Sequence, residues 1–230
     1  MQPYIFPYVG YFHLIEATDK IVFYDDVNFI KSGWINRNRI LINGKDSLFS
    51  IPLLKASSFK LINKTEPHPS LFPTWKRKFI KTIEQNYSKA PFYDDTCNLI
   101  ESVLDLHYEN IADLAINSII SVYEYLGKEI KWTKSSACSP TTKGMDKADR
   151  IIQIAKDMGY RKYVNAIGGQ ELYDKECFNN QGVHLNFVQS QYIEYKQFND
   201  DFVPWLSIID ILMFNNKKAI IDQFSAHNIV

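Results

Sequence analysis

Lys162-Tyr163-Val164-Asn165-Ala166-Ile167-Gly168-Gly169-Gln170-Glu171-Leu172-Tyr173 is the stretch whose reading decides the fold class. Lys162–Ile167 is rich in aromatic and β-branched residues and reads as a strand; Gly168-Gly169 end it. The pattern then turns helical over Gln170–Asn179, with Gly182 behind it, and His184–Val188 reads as the next strand. Upstream, Ile130–Lys134 is a strand candidate and Lys147–Met158 an amphipathic helix closed by Gly159. Strand–helix–strand alternation predicts an α/β fold with a mostly parallel sheet and flanking helices.

Working outward, Tyr11–Thr18 reads as a short helix and Ile21–Asp25 as a buried strand ending in acid. Asn43-Gly44 between Arg39–Ile42 and Ser47–Ile51 predicts a β-hairpin near residues 39–51, and Phe59–Ile62 a further strand. Trp75, Phe79, Ile83 and Tyr87 recur at spacing four, and the helical pattern continues to Gly127. The expectation is a single domain over 1–230 with a helical insertion at about 74–127. Residues 56–70 and 135–144 read as the loosest segments.

Composition narrows the function classes. The 230 residues carry 26 basic and 26 acidic side chains, so no net field draws the chain to nucleic acid or anionic lipid. No apolar run approaches the roughly 18 residues of a membrane span. The three cysteines (Cys97, Cys138, Cys177) are scattered and read as reduced thiols in a cytoplasmic protein. The five histidines show no metal spacing, so no metal ligands are assigned. Ser207 and Asp210 match a helix cap better than a catalytic pair.

Three groups of residues carry chemistry. Asp25-Asp26 follow a strand, where open parallel sheets place ligands. Such acids bind metal, accept an ammonium, or act as a general base when desolvated. Lys31-Ser32-Gly33-Trp34-Ile35-Asn36-Arg37-Asn38-Arg39 gathers three cations around one indole. In an extended segment Arg37 and Arg39 share a face that suits phosphate or carboxylate, with Trp34 free to stack on a sugar or base. Asn165, Gly168, Gly169, Gln170 and Glu171 form a strand-to-helix corner whose backbone N–H groups suit an anion. The aromatic N-terminus, Met1 to Phe12, is stiffened by Pro3 and Pro7. Gly10 there marks a place with no room for a Cβ.

Gln2-Pro3-Tyr4, Pro7-Tyr8-Val9-Gly10-Tyr11-Phe12, Asp25-Asp26-Val27, Trp34 to Arg39, and Asn165 to Tyr173 together resemble the WbqC-like protein family, nearly end to end and through Ser207 and Asp210. The resemblance implies a bacterial cytoplasmic protein of lipopolysaccharide O-antigen or other surface-glycan synthesis. Members commonly carry a strand and a His ahead of Gln-Pro, where this chain has Met1, and Ala166 stands where Pro is frequent.

The leading expectation is therefore a transferase that places an acyl or aminoacyl group on the amine of a nucleotide-linked sugar. Asp25 and Asp26 are its candidate catalytic residues. Gln2, Tyr8, Tyr11, Lys31, Trp34, Arg37, Arg39, Asn165, Gly168, Gly169, Gln170 and Glu171 are its candidate substrate-binding residues. Burial beside Tyr8 and Tyr11 is expected to raise a carboxylate toward the range a base needs. The sequence names no cofactor and leaves the acyl donor open among coenzyme A, a carrier protein, aminoacyl-tRNA and a free acid with ATP. Nucleic acid enters only as that aminoacyl-tRNA, and an oligomer is compatible with the reading. The alternatives are metal-dependent glycosyl transfer through Asp25-Asp26 and a non-catalytic assembly protein.

Overall fold

A computed structural model describes residues 1–191, 193–198 and 201–230. In place of one large parallel sheet, the chain builds three small ones. β1 (Ile21–Phe23) pairs in parallel with β4 (Trp132–Lys134), across more than 100 residues of sequence. β2 (Arg37–Ile42) and β3 (Lys45–Ser50) form the antiparallel hairpin, turning at Asn43 and Gly44, both with positive φ. β5 (Lys162–Ala166) runs parallel to β6 (His184–Ser190), and β7 (His227–Ile229) adds an antiparallel edge to β6. The parallel cadence is thus real at β5–β6, and the mixed α/β class holds.

The helical region contains α2 (Phe72–Tyr87), α3 (Tyr93–Asp105) and α4 (Ile111–Tyr125). Phe79, Ile83 and Tyr87 form the buried stripe of α2, as spacing four requires. The Asn110 side chain caps α4 by accepting from the Asp113 N–H. These helices share one core with α1 (Val9–Glu16), α8 (Ile208–Phe214) and α9 (Lys217–Phe224); Phe12 stacks on Phe224 at 4.5 Å between centroids. The 74–127 region is therefore part of the main core rather than an appendage to it.

A second, smaller core belongs to the C-terminal strand–helix–strand unit. There Ile152 of α6 (Lys147–Asp157) and Phe178 of α7 (Lys175–Asn180) pack on Val183, Leu185 and Phe187. α7 starts five residues later than the pattern suggested, because the Asp174 side chain accepts from the Glu176 and Cys177 N–H groups and fixes the start there. Phe59–Ile62 is no strand: a single bridge joins Leu61 to Asn28, and a 3₁₀ turn over Ile62–Lys64 follows. No helix among the described residues is long and apolar enough to cross a membrane.

Candidate functional site

The acid pair sits at the carboxyl ends of the β1–β4 ladder, opposite Ser135 and Ser136 at the start of the short α5 (Ser135–Cys138). Asp25 Oδ1 accepts from the Ser136 N–H at 3.0 Å; its Oδ2 accepts from Ser136 Oγ at 2.7 Å and Asn63 Nδ2 at 3.0 Å. Ser135 Oγ has one proton and lies 2.5 Å from Asp26 Oδ1 and 3.0 Å from Asp25 Oδ1, so a single hydroxyl bridges the acids. Asp26 Oδ2 receives Arg150 Nη2 at 2.6 Å in a pair whose side chains are 4% and 6% exposed. Arg150 also donates from Nε to Thr142 Oγ1 and lies over the Tyr24 ring at 4.7 Å.

Burial alone pushes the Asp25 carboxyl up. The hydrogen bonds from Ser136, Asn63 and Ser135 outweigh it and hold the group below its usual range. The expected rise is thus reversed at Asp25, and Tyr24, rather than Tyr8 or Tyr11, is the ring at the acid corner. The corner's supporting residues escaped the sequence reading. Arg150 lies within the helix read as amphipathic, with nothing local to mark it, and Ser135-Ser136 lie in a segment read as loose.

The cationic segment forms a second group. Arg37 and Arg39 lie 5.5 and 5.7 Å from the Trp34 ring centroid, and Trp34 is 37% exposed. Alternation on β2 turns both arginines outward and sends Asn38 inward, where its amide donates to the Ile5 and Phe6 carbonyls. Arg37 donates to the Ser32 and Gly33 carbonyls, and Arg39 Nη1 pairs with Asp46 at 3.0 Å. Each guanidinium has five N–H groups, so both keep donors to spare; Arg39 Nε is itself buried, with no partner among the described residues. Lys31 stands exposed on the loop before Trp34.

The N-terminal motif packs behind this face. The Tyr8 ring meets Trp205 edge-on at 6.0 Å, and Tyr8 bridges Ser207, whose N–H donates to the Arg39 carbonyl at 2.8 Å. A Cβ on Gly10 would overlap the Tyr8 ring, which explains that glycine. Tyr11 is buried, donates to the Gln2 carbonyl at 2.8 Å and packs on Tyr4. Three residues with positive φ, Phe6, Ser32 and Trp205, lie on these segments. Backbone held against its preference in this way is a mark of functional sites.

The Gly168-Gly169 corner differs from its expectation. It makes a 3₁₀ turn over Ile167–Gly169, not the start of a helix. A Cβ on Gly169 would lie 2.5 Å from the Asn165 amide nitrogen, so any larger residue there must displace that side chain. Asn165 turns back to accept from the Ala166 N–H, while Gln170 and Glu171 line a shallow recess of about 550 Å³ with Tyr173, Lys175 and Phe187. Burial pushes the Tyr163 phenol up, with smaller contributions from Tyr173 and Tyr24, and burial alone raises that of Tyr173. No hydrogen bond or ion pair among the described residues joins the Trp34–Arg37–Arg39 face to the acids or to the glycine corner. Among the described residues no group of three His, Cys, Asp or Glu side chains is placed to hold a metal.

These sites fall inside the span that the chain shares with a known family. The WbqC-like protein family matches residues 2–222. The chain belongs to that family. It is also similar to an uncharacterized protein of Mycobacterium tuberculosis, Rv1507c, at 24% identity over 95% of this chain and 94% of that protein. No solved structure matches the chain significantly. The matched span contains all three residue groups, so each is part of the shared domain.

Proposed function

We propose that this WbqC-like protein is a surface-glycan transferase that binds a nucleotide-linked sugar and places an acyl or aminoacyl group on the sugar's amine. The observation that carries the reading is the indole of Trp34 flanked by two outward guanidiniums with donors in hand. An aromatic ring beside paired arginines suits a nucleotide: the ring stacks on base or sugar, and the guanidiniums grip the diphosphate. Arg37 and Arg39 are the diphosphate ligands of this reading, Lys31 adds charge, and Tyr8, Tyr11 and Gln2 back the face. In the transfer, the amine nitrogen attacks the donor's carbonyl carbon, a C–N bond forms, the donor's bond to its leaving group breaks and the amine gives up a proton.

Asp25 and Asp26 form the buried acid corner of this reading at the ends of β1 and β4. Asp25, held below its usual range by its donors, is a poor base for an amine, so proton removal falls to another group or to the leaving group. The test is a thermal-shift panel of nucleotide-linked amino sugars and their hydroxyl counterparts on wild type, Trp34→Ala and Arg37→Ala. The reading expects a shift with nucleotide-linked amino sugars that both variants lose. No shift with any nucleotide-linked sugar overturns it, and a shift that appears only with Mn²⁺ or Mg²⁺ points to metal-dependent glycosyl transfer instead.

A further inference from the structure

Asp210 is the most deeply buried acid outside the groups above. It is 0% exposed, on the first turn of α8, and its carboxylate accepts three hydrogen bonds from two other segments. Tyr195 donates to Oδ1 at 2.6 Å and Gln197 Nε2 to the same oxygen at 2.7 Å; Tyr87 donates to Oδ2 at 2.8 Å. Two of the donors, Gln197 and Tyr87, continue onward. Gln197 clasps Val203 through both backbone groups, accepting from its N–H at 2.9 Å and donating to its carbonyl at 3.2 Å, two residues before Trp205. The Tyr87 hydroxyl accepts the Leu41 N–H at 2.7 Å, on the strand that carries Arg37 and Arg39. Ser207, which caps the same helix, donates to the Phe6 carbonyl and binds the Arg39 carbonyl through its N–H.

We infer that Asp210 is a positioning residue for the nucleotide-sugar site: through Gln197 it sets the segment bearing Trp205, and through Tyr87 the strand bearing Arg39. The inference rests on reading the Trp34–Arg37–Arg39 face as that site. A carboxylate suits the task because all three partners are donors, and an amide in its place would turn an N–H group toward one of them. A cap alone needs only Ser207. Nothing in capping requires a buried acid that reaches two other segments, so the network has a purpose beyond the helix.

The test follows the indole N–H resonances of the four tryptophans by NMR, with Trp205 assigned through Trp205→Phe, alongside nucleotide-sugar affinity. Asp210→Asn is expected to move the Trp205 resonance, leave that of Trp75 in place, and weaken affinity about tenfold. Combining it with Trp205→Phe is expected to add little further loss, because both changes remove one arrangement. Fully additive losses, or an unmoved Trp205 resonance with unchanged affinity, overturn the inference. If Asp210→Asn does not fold, Gln197→Ala is read by the same two outcomes. A moved Trp205 resonance in a protein whose wild type binds no nucleotide-sugar rejects the proposed ligand and leaves the positioning role standing.

Discussion

Two buried aspartates, Asp25 and Asp210, sit in comparable seclusion and respond to it in opposite ways. Asp25 is 1% exposed and Asp210 0%. The hydrogen bonds around Asp25 hold its carboxyl below the ordinary range, whereas burial pushes that of Asp210 up despite the donated bonds of Tyr195, Gln197 and Tyr87. The difference lies in how deeply each carboxyl sits below the surface and in what donates to it. Asp25 meets a backbone N–H at the start of α5, two serine hydroxyls and an amide, and its neighbour Asp26 holds an arginine. Asp210 meets two phenols and an amide, with no cation paired to it among the described residues. Depth of burial and donor set together decide the outcome, which is why neither acid's state can be read from an Asp in a sequence.

The comparison breaks most severely at Arg150. Arg150→Ala strands Asp26 without its cation inside the fold and is expected to cost about 3–5 kcal/mol in chemical denaturation. Asp25→Asn comes next, at about 2–3 kcal/mol, because an amide cannot accept from every donor the carboxylate satisfies. Asp210→Asn is expected to cost about 1–2 kcal/mol at neutral pH, since the lost bonds are partly offset by removing an unfavourable buried charge. Tyr195→Phe, which deletes one donor and keeps the ring, is the smallest at about 1 kcal/mol.

Acid titration sharpens the same contrast by its sign. The Asp25 contribution is fully present above the unfolded carboxylate value of about 4 and fades as pH falls through its lower folded value. The deficit of Asp25→Asn should therefore narrow toward strongly acidic pH. Asp210 has its folded value above the unfolded one, so its charged form costs stability at neutral pH and the fold gains as pH falls through that value. The deficit of Asp210→Asn should therefore widen on mild acidification. Parallel pH courses for the two variants would show that the two acids do not differ in this way.

Much of the secondary structure was legible because it rests on local chemistry. Asn43-Gly44 announced the hairpin, the spacing of Phe79, Ile83 and Tyr87 announced α2, and Ser207 was read as the cap it is. What escaped was pairing between distant segments. β1 finds β4 only through three paired residues on each strand, too few to leave a pattern in either, and the sheet divides where local signals suggest continuity. The Trp34–Arg37–Arg39 group was legible because one short run of sequence, 34–39, holds it. Arg150, Ser135 and Tyr195 were not, because each becomes informative only when an acid more than a dozen residues away is folded against it.

The account stands or falls on the Trp34 face. A titration of a nucleotide-linked amino sugar into the ¹⁵N-labelled protein, followed at the four indole N–H groups, reads that face directly. Saturable movement of the Trp34 resonance, with Trp75 stationary and the response abolished in Arg37→Ala, is the predicted result. A Trp34 resonance that stays fixed at saturating ligand, or that moves equally well in Arg37→Ala, contradicts it.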